Sequence, residues 1–248
     1  MRVDPSASLA LVLLGAAARA MDAAACPPLH LIVARGTGQP PGYDKLITTV
    51  NQIKSDRPGT TSEALDYPAC GGSPSCGGYP YQDSVRIGVA AAVRAVEGMH
   101  RRCPQTKLVV MGYSQGGELF DDALCGGGDV KIPDRQVPLS DGAVNMIKAA
   151  IFMGNPRFQS GFSYEVGTCR GGGRHQDVAD MRIGTKFDAR PRTFGCPKPT
   201  ASKIQSYCDL GDPYCCRGRI KDEGVHARYV QRYEKAALTF IYRKLDEK

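Results

Sequence analysis

Three short apolar runs, separated by segments of helix length, limit what this chain can fold into. Leu29-His30-Leu31-Ile32-Val33-Ala34 ends at Arg35-Gly36-Thr37-Gly38 and two prolines. Residues 107–111 end in a glycine-rich turn, and residues 149–153 stop at Gly154-Asn155-Pro156. Each reads as a buried strand. Residues 62–67 and 203–207 are weaker candidates for two more. Between them, residues 43–55, 81–102 and 116–124 carry apolar side chains at helical spacing, and residues 226–245 form a closing helix. Continuous apolar strands alternating with helices predict a parallel sheet covered on both faces. The 248 residues, 42% hydrophobic and 23% charged, suffice for one such domain and exclude a disordered or collagen-like chain.

The first residues predict a compartment. Arg2, an apolar stretch over residues 9–18 and Ala18-Arg19-Ala20 have the proportions of a secretory leader, with cleavage after Ala20 or as late as Ala25. The stretch is too short to span a bilayer, and nothing later reads as a transmembrane segment. Residues 26–248 are then one secreted, extracellular domain. In that setting the ten cysteines read as five disulfides, whose pairing spacing alone cannot assign. Adjacent Cys215 and Cys216 must take different partners, because a bridge between them would strain their shared peptide. A zinc site would need Cys-x2-Cys pairs or clustered histidines, and His30, His100, His175 and His226 are scattered, so no metal is expected. The balance of 32 Lys+Arg against 25 Asp+Glu gives +7 without a run of five or more like charges. Nucleic acid is therefore not an expected partner.

Gly112-Tyr113-Ser114-Gln115-Gly116 carries the chemistry. A Gly-x-Ser-x-Gly pentapeptide between a strand and a helix is a nucleophile elbow. Its serine sits on a turn too sharp for a Cβ at either end, above a helix N-terminus that favours developing negative charge. An alkyl hydroxyl needs a base, and in hydrolases of this pattern the acid and then the histidine follow the serine. His175 and His226 both follow Ser114. His226, just before the closing helix, is the expected base; His175 lies in a Gly/Arg-rich stretch and reads as a surface residue. The acid is Asp209, Asp212 or Asp222. Asp212 is favoured because a bridge between Cys208 and Cys215 would close a short loop around it, whereas Asp209 and Asp222 read as solvated loop charges. An oxyanion hole needs two donors. The N–H of Gln115 follows the nucleophile, and Thr37, in the loop after the first strand, offers the second.

These residues resemble the secreted acetylxylan esterases among the cutinase-like serine esterases. The resemblance runs through Ala34-Arg35-Gly36-Thr37, Tyr67-Pro68-Ala69-Cys70-Gly71-Gly72, the elbow, and Ala123-Leu124-Cys125-Gly126-Gly127-Gly128-Asp129. It continues in Phe152-Met153-Gly154-Asn155-Pro156-Arg157 and Phe187-Asp188-Ala189-Arg190-Pro191, and ends with residues 202–209 and Asp212-Pro213-Tyr214-Cys215-Cys216. It implies a three-layer α/β/α sandwich of the α/β-hydrolase class about a five-stranded parallel sheet. Matched position by position, it implies Ser114 as nucleophile, Asp212 as acid, His226 as base, and Thr37 with Gln115 at the oxyanion hole. The implied bridges are Cys26–Cys103, Cys70–Cys76, Cys125–Cys196, Cys169–Cys216 and Cys208–Cys215. The implied activity is deacetylation of acetylated xylan or small acetyl esters by a monomer, with no cofactor.

Two positions depart from the pattern. Gly36 stands where these esterases usually carry Glu, and is the choice of cutinases. Residues 170–186 look inserted and carry an excess of two positive charges; a surface loop is expected, with a basic lip near the substrate as the alternative. Tyr214, two residues after the expected acid, is bulky and is expected to face the acyl group, favouring acetyl over longer chains. A cutinase or lipid-polyester hydrolase is the alternative activity, and a non-catalytic secreted protein on the same fold is a second.

Overall fold

The structure is a computed structural model that describes residues 26–127, 138–172, 189–218 and 220–247. The expected leader, His175 and residues 173–186 of the insert lie outside the described residues. Among the described residues, six strands form one parallel sheet: β1 (Leu29–Ala34), β2 (Thr61–Ala64), β3 (Lys107–Tyr113), β4 (Ile147–Met153), β5 (Glu165–Val166) and β6 (Ile204–Tyr207), in the order β2-β1-β3-β4-β6-β5. The expected count of five is corrected by β5, an edge strand of only two residues. It is too short to show any periodicity and is recognisable only by its pairing with β6.

Because side chains alternate across a strand, each central strand feeds two cores. Ile32, Leu108, Val110, Ala150 and Phe152 face one way. There they meet α2 (Tyr81–Arg102), α3 (Gln115–Cys125) and α4 (Asp141–Met146). Leu31, Val33, Val109, Met111 and Ile151 face the other way. Against them pack α1 (Ile47–Asp56) and a C-terminal helix over Tyr229–Asp246. A short helix, α5 (Lys198–Ala201), precedes β6. Burial on both faces explains why the strands are apolar throughout.

Two boundaries differ from expectation. β2 ends at Ala64, and beyond it the carbonyls of Leu65 and Tyr67 accept from the Arg35 guanidinium at 3.1 and 2.6 Å. The closing helix is broken at Arg228 into α6 (Glu223–Ala227) and α7 (Tyr229–Asp246). The Asp222 side chain caps α6 by accepting from the Gly224 N–H at 2.7 Å. His226 therefore rides on a short helix of its own. The ten cysteines form five bridges: Cys26–Cys103, Cys70–Cys76, Cys125–Cys196, Cys169–Cys216 and Cys208–Cys215.

Candidate active site

Ser114 occupies the junction of β3 and α3 with φ 53° and ψ −119°, a backbone conformation that L residues rarely adopt. Its N–H donates to the Met153 carbonyl at 2.7 Å, tying the turn to β4. The flanking glycines are sterically obligatory. A Cβ on Gly112 would lie 2.2 Å from the Gly116 carbonyl oxygen, and a Cβ on Gly116 would lie 2.2 Å from that of Ala34. Both obstacles are main chain, so no rotamer change relieves them.

Asp212 and His226 reach this serine from beyond β6. The Asp212 carboxylate is fully buried and accepts four hydrogen bonds. Oδ1 takes the N–H groups of Tyr214 at 2.7 Å and Cys215 at 3.1 Å. Oδ2 takes His226 Nδ1 at 2.7 Å and the Tyr229 hydroxyl at 2.8 Å. A carboxylate only accepts, so Nδ1 carries the proton and Nε2 presents its lone pair to Ser114 Oγ, 3.0 Å away. The Tyr113 hydroxyl donates to the His226 carbonyl and fixes its main chain. Burial above all, and then the Asp212 charge, drives the Tyr229 phenol far above its ordinary range, so it remains a donor.

The other two candidate acids are elsewhere engaged. Asp209 is not a solvated charge: it is 2% exposed, and its Oδ1 accepts from Thr168 N–H, Thr168 Oγ1 and the Tyr233 hydroxyl. Arg232 pairs with its second oxygen at 3.0 Å. Asp222 is exposed, as expected, and serves as the cap of α6.

Thr37, Ser114, His226 and Tyr214 line one cleft of about 520 Å³, together with Tyr113, Lys45 and Glu223. The Gln115 side chain takes no part in it. Its Oε1 accepts from Ser84 Oγ at 2.8 Å and its Nε2 donates to the Cys70 carbonyl at 3.0 Å, leaving the main-chain N–H as what this residue can offer an oxyanion. The loop before Thr37 is braced by Asp44, whose carboxylate accepts from the Gly36 N–H at 3.1 Å. A Cβ at Gly36 would come within 2.9 Å of the Tyr113 ring, so a longer residue there requires that ring to move. Asp44, Ala69 and Ser114 are the non-glycine residues with positive φ among the described residues, and all three belong to the segments around this cleft. Such strain concentrates at functional sites. The sulfurs of Cys169, Cys208 and Cys216 lie within 4.8 Å of one another, but each is committed to a disulfide and offers no thiolate to a metal.

Residues 25–245 match the family model described as Cutinase. Acetylxylan esterase 2 of Talaromyces purpureogenus is 49% identical over 227 residues, covering 91% of this chain and 90% of that protein. Cutinase 11 of Verticillium dahliae is 46% identical over 240 residues, covering 96% and 76% respectively. Among solved structures, the catalytic core domain of acetyl xylan esterase from Trichoderma reesei superposes with a TM-score of 0.79 at 48% identity, covering 88% of this chain and 99% of that one.

Proposed function

The chain belongs to the cutinase family, and from that premise we propose a secreted serine esterase that removes acetyl groups from acetylated xylan. Ser114 Oγ attacks the ester carbonyl while His226 Nε2 takes its proton. The buried Asp212 carboxylate steadies the imidazolium that forms. The tetrahedral oxyanion is held by the Thr37 and Gln115 donors, and the sugar hydroxyl departs with the proton from His226. Water, activated by the same imidazole, then cleaves the acetyl–Ser114 ester. No step calls for a metal or a cofactor. The observation that carries this reading is the unbroken hydrogen-bonded line from Ser114 Oγ through His226 to Asp212 at the wall of one cleft.

Secretion is part of the proposal: residues 1–20 act as a leader, and residues 26–248 work as one monomeric, extracellular domain. The five bridges support an oxidising compartment. Among the described residues, no helix is long and apolar enough to cross a membrane. A longer acyl preference is the second reading, favoured by Gly36 and by the likeness to Cutinase 11. A series of p-nitrophenyl esters separates the two. Faster turnover of the acetate than of the octanoate is expected, and the reverse order overturns the acetylxylan reading. An organophosphonate should label Ser114; without that adduct, and with Ser114→Ala as active as the parent, the serine mechanism fails.

A further inference from the structure

Tyr214 and Glu223 meet over the catalytic base. The Tyr214 hydroxyl donates to Glu223 Oε1 at 2.8 Å, and the Tyr214 ring lies 4.6 Å from the His226 imidazole, centroid to centroid. Both side chains line the cleft that holds Ser114. The main chain of Tyr214 cannot shift to relieve crowding. Its N–H is bound to Asp212 Oδ1, and its neighbour Cys215 is bridged to Cys208. What freedom remains is rotation of the ring away from the imidazole, and the bond to Glu223 opposes that rotation. Glu223 in turn stands three residues before His226 on α6, and residues three apart share a helix face. Base and brace therefore move together.

We propose that Glu223 is a positioning residue for acyl-chain selectivity: by accepting the Tyr214 hydroxyl it holds that ring as a wall beside Ser114 and His226, which admits an acetyl group and turns away longer chains. The proposal rests on the esterase reading above. It adds a determinant that the Tyr214 ring alone does not supply, since the bond to Glu223 resists the ring's swing away from a longer substrate.

The test is kcat/KM for p-nitrophenyl acetate, butyrate, hexanoate and octanoate with the wild type, Glu223→Ala, Glu223→Gln, Tyr214→Phe and Tyr214→Ala. Glu223→Ala and Tyr214→Phe delete the same bond from opposite sides. Each should raise the hexanoate-to-acetate ratio roughly fivefold, as loss of one partly exposed hydrogen bond allows. Their double variant should show no further rise, because both changes remove the same Tyr214–Glu223 bond. Glu223→Gln keeps an acceptor oxygen and should stay near the wild-type ratio, which a merely structural role of the helix would not predict. If Glu223→Ala fails to fold, Tyr214→Phe reads the same bond. A wild type that prefers acetate, with Tyr214→Ala raising the ratio but Glu223→Ala and Tyr214→Phe leaving it unchanged, overturns the brace alone. A wild type faster on octanoate than on acetate overturns the acetyl reading itself.

Discussion

Ser114 leaves the end of β3 and Asp212 follows the end of β6, with β4 between them in the sheet. The two are fixed by different means. The serine is held by main chain against main chain: Gly112 against Gly116, Gly116 against Ala34, and its own N–H on Met153. The acid and base are held by side chains and covalent pins. The Cys208–Cys215 bridge closes the Asp212 loop, two N–H groups and a phenol saturate its carboxylate, and Tyr113 anchors the His226 main chain. The first arrangement permits no substitution and needs no ornament. The second is assembled from replaceable parts, so it should fail gradually where the first fails outright.

The sharpest way to break this contrast is a methyl group. Gly116→Ala should destabilise the protein by about 5 kcal/mol or more, or prevent folding, since its Cβ meets the Ala34 carbonyl oxygen at 2.2 Å with no side chain to yield. Gly117→Ala, one residue on, meets the Cβ atoms of Asn155 and Phe152 at 3.3 Å as its nearest neighbours and should cost about 1 kcal/mol. Thermal or denaturant unfolding of the two variants reads the difference. A Gly116→Ala protein melting near the parent would show that the elbow is not held by steric necessity.

Removing covalent pins should separate stability from activity. The Cys26–Cys103 bridge spans 77 residues and Cys208–Cys215 spans 7. Constraint of the unfolded chain then gives roughly 4.5 kcal/mol for the first and roughly 2.5 kcal/mol for the second. Paired Cys→Ala variants should lose stability in that order but activity in the opposite one, because only the shorter bridge frees Asp212. Equal kcat in the two variants would mean that the acid needs no pin.

The same contrast explains what could be read in advance. The elbow was legible because its constraint is local: strand, five residues and helix are contiguous, and the glycines are required within that span. The bounds of β1 follow from its unbroken apolar run and the glycines and prolines after it, and those of α2 from its helical spacing. Asp212 was favoured over Asp209 and Asp222 by a local clue, the flanking Cys208 and Cys215, and the likeness to known esterases pointed to the same residue. Asp209 reads as solvated from the sequence but is buried, because its partners, Thr168 and Tyr233, lie 41 residues before it and 24 after it. No spacing pattern links such positions. The same holds for the edge strand β5, for the Gln115–Ser84–Cys70 network behind the oxyanion donors, and for the pairing of Glu223 with Tyr214.

Tyr229 is the least conspicuous of the parts on the acid side, and its removal is the finest test. Its hydroxyl accepts from the buried Asp209 N–H at 2.8 Å and donates to Asp212 Oδ2, the oxygen that also receives His226. Tyr229→Phe leaves that N–H without an acceptor and the carboxylate with one donor fewer, while the ring packing stays. The stability cost should be about 1.5 kcal/mol, and kcat should fall roughly tenfold as Asp212 loses one of the four bonds that aim it. KM should change little, because the phenol does not reach the cleft. Since burial and the Asp212 charge keep the Tyr229 phenol protonated well above its ordinary range, the wild-type donor persists through alkaline pH. The kcat deficit of the variant should therefore be the same at pH 7 as at pH 9. A kcat within about twofold of the parent would place the aiming of Asp212 wholly in its backbone bonds, and the acid would then be held much as the serine is.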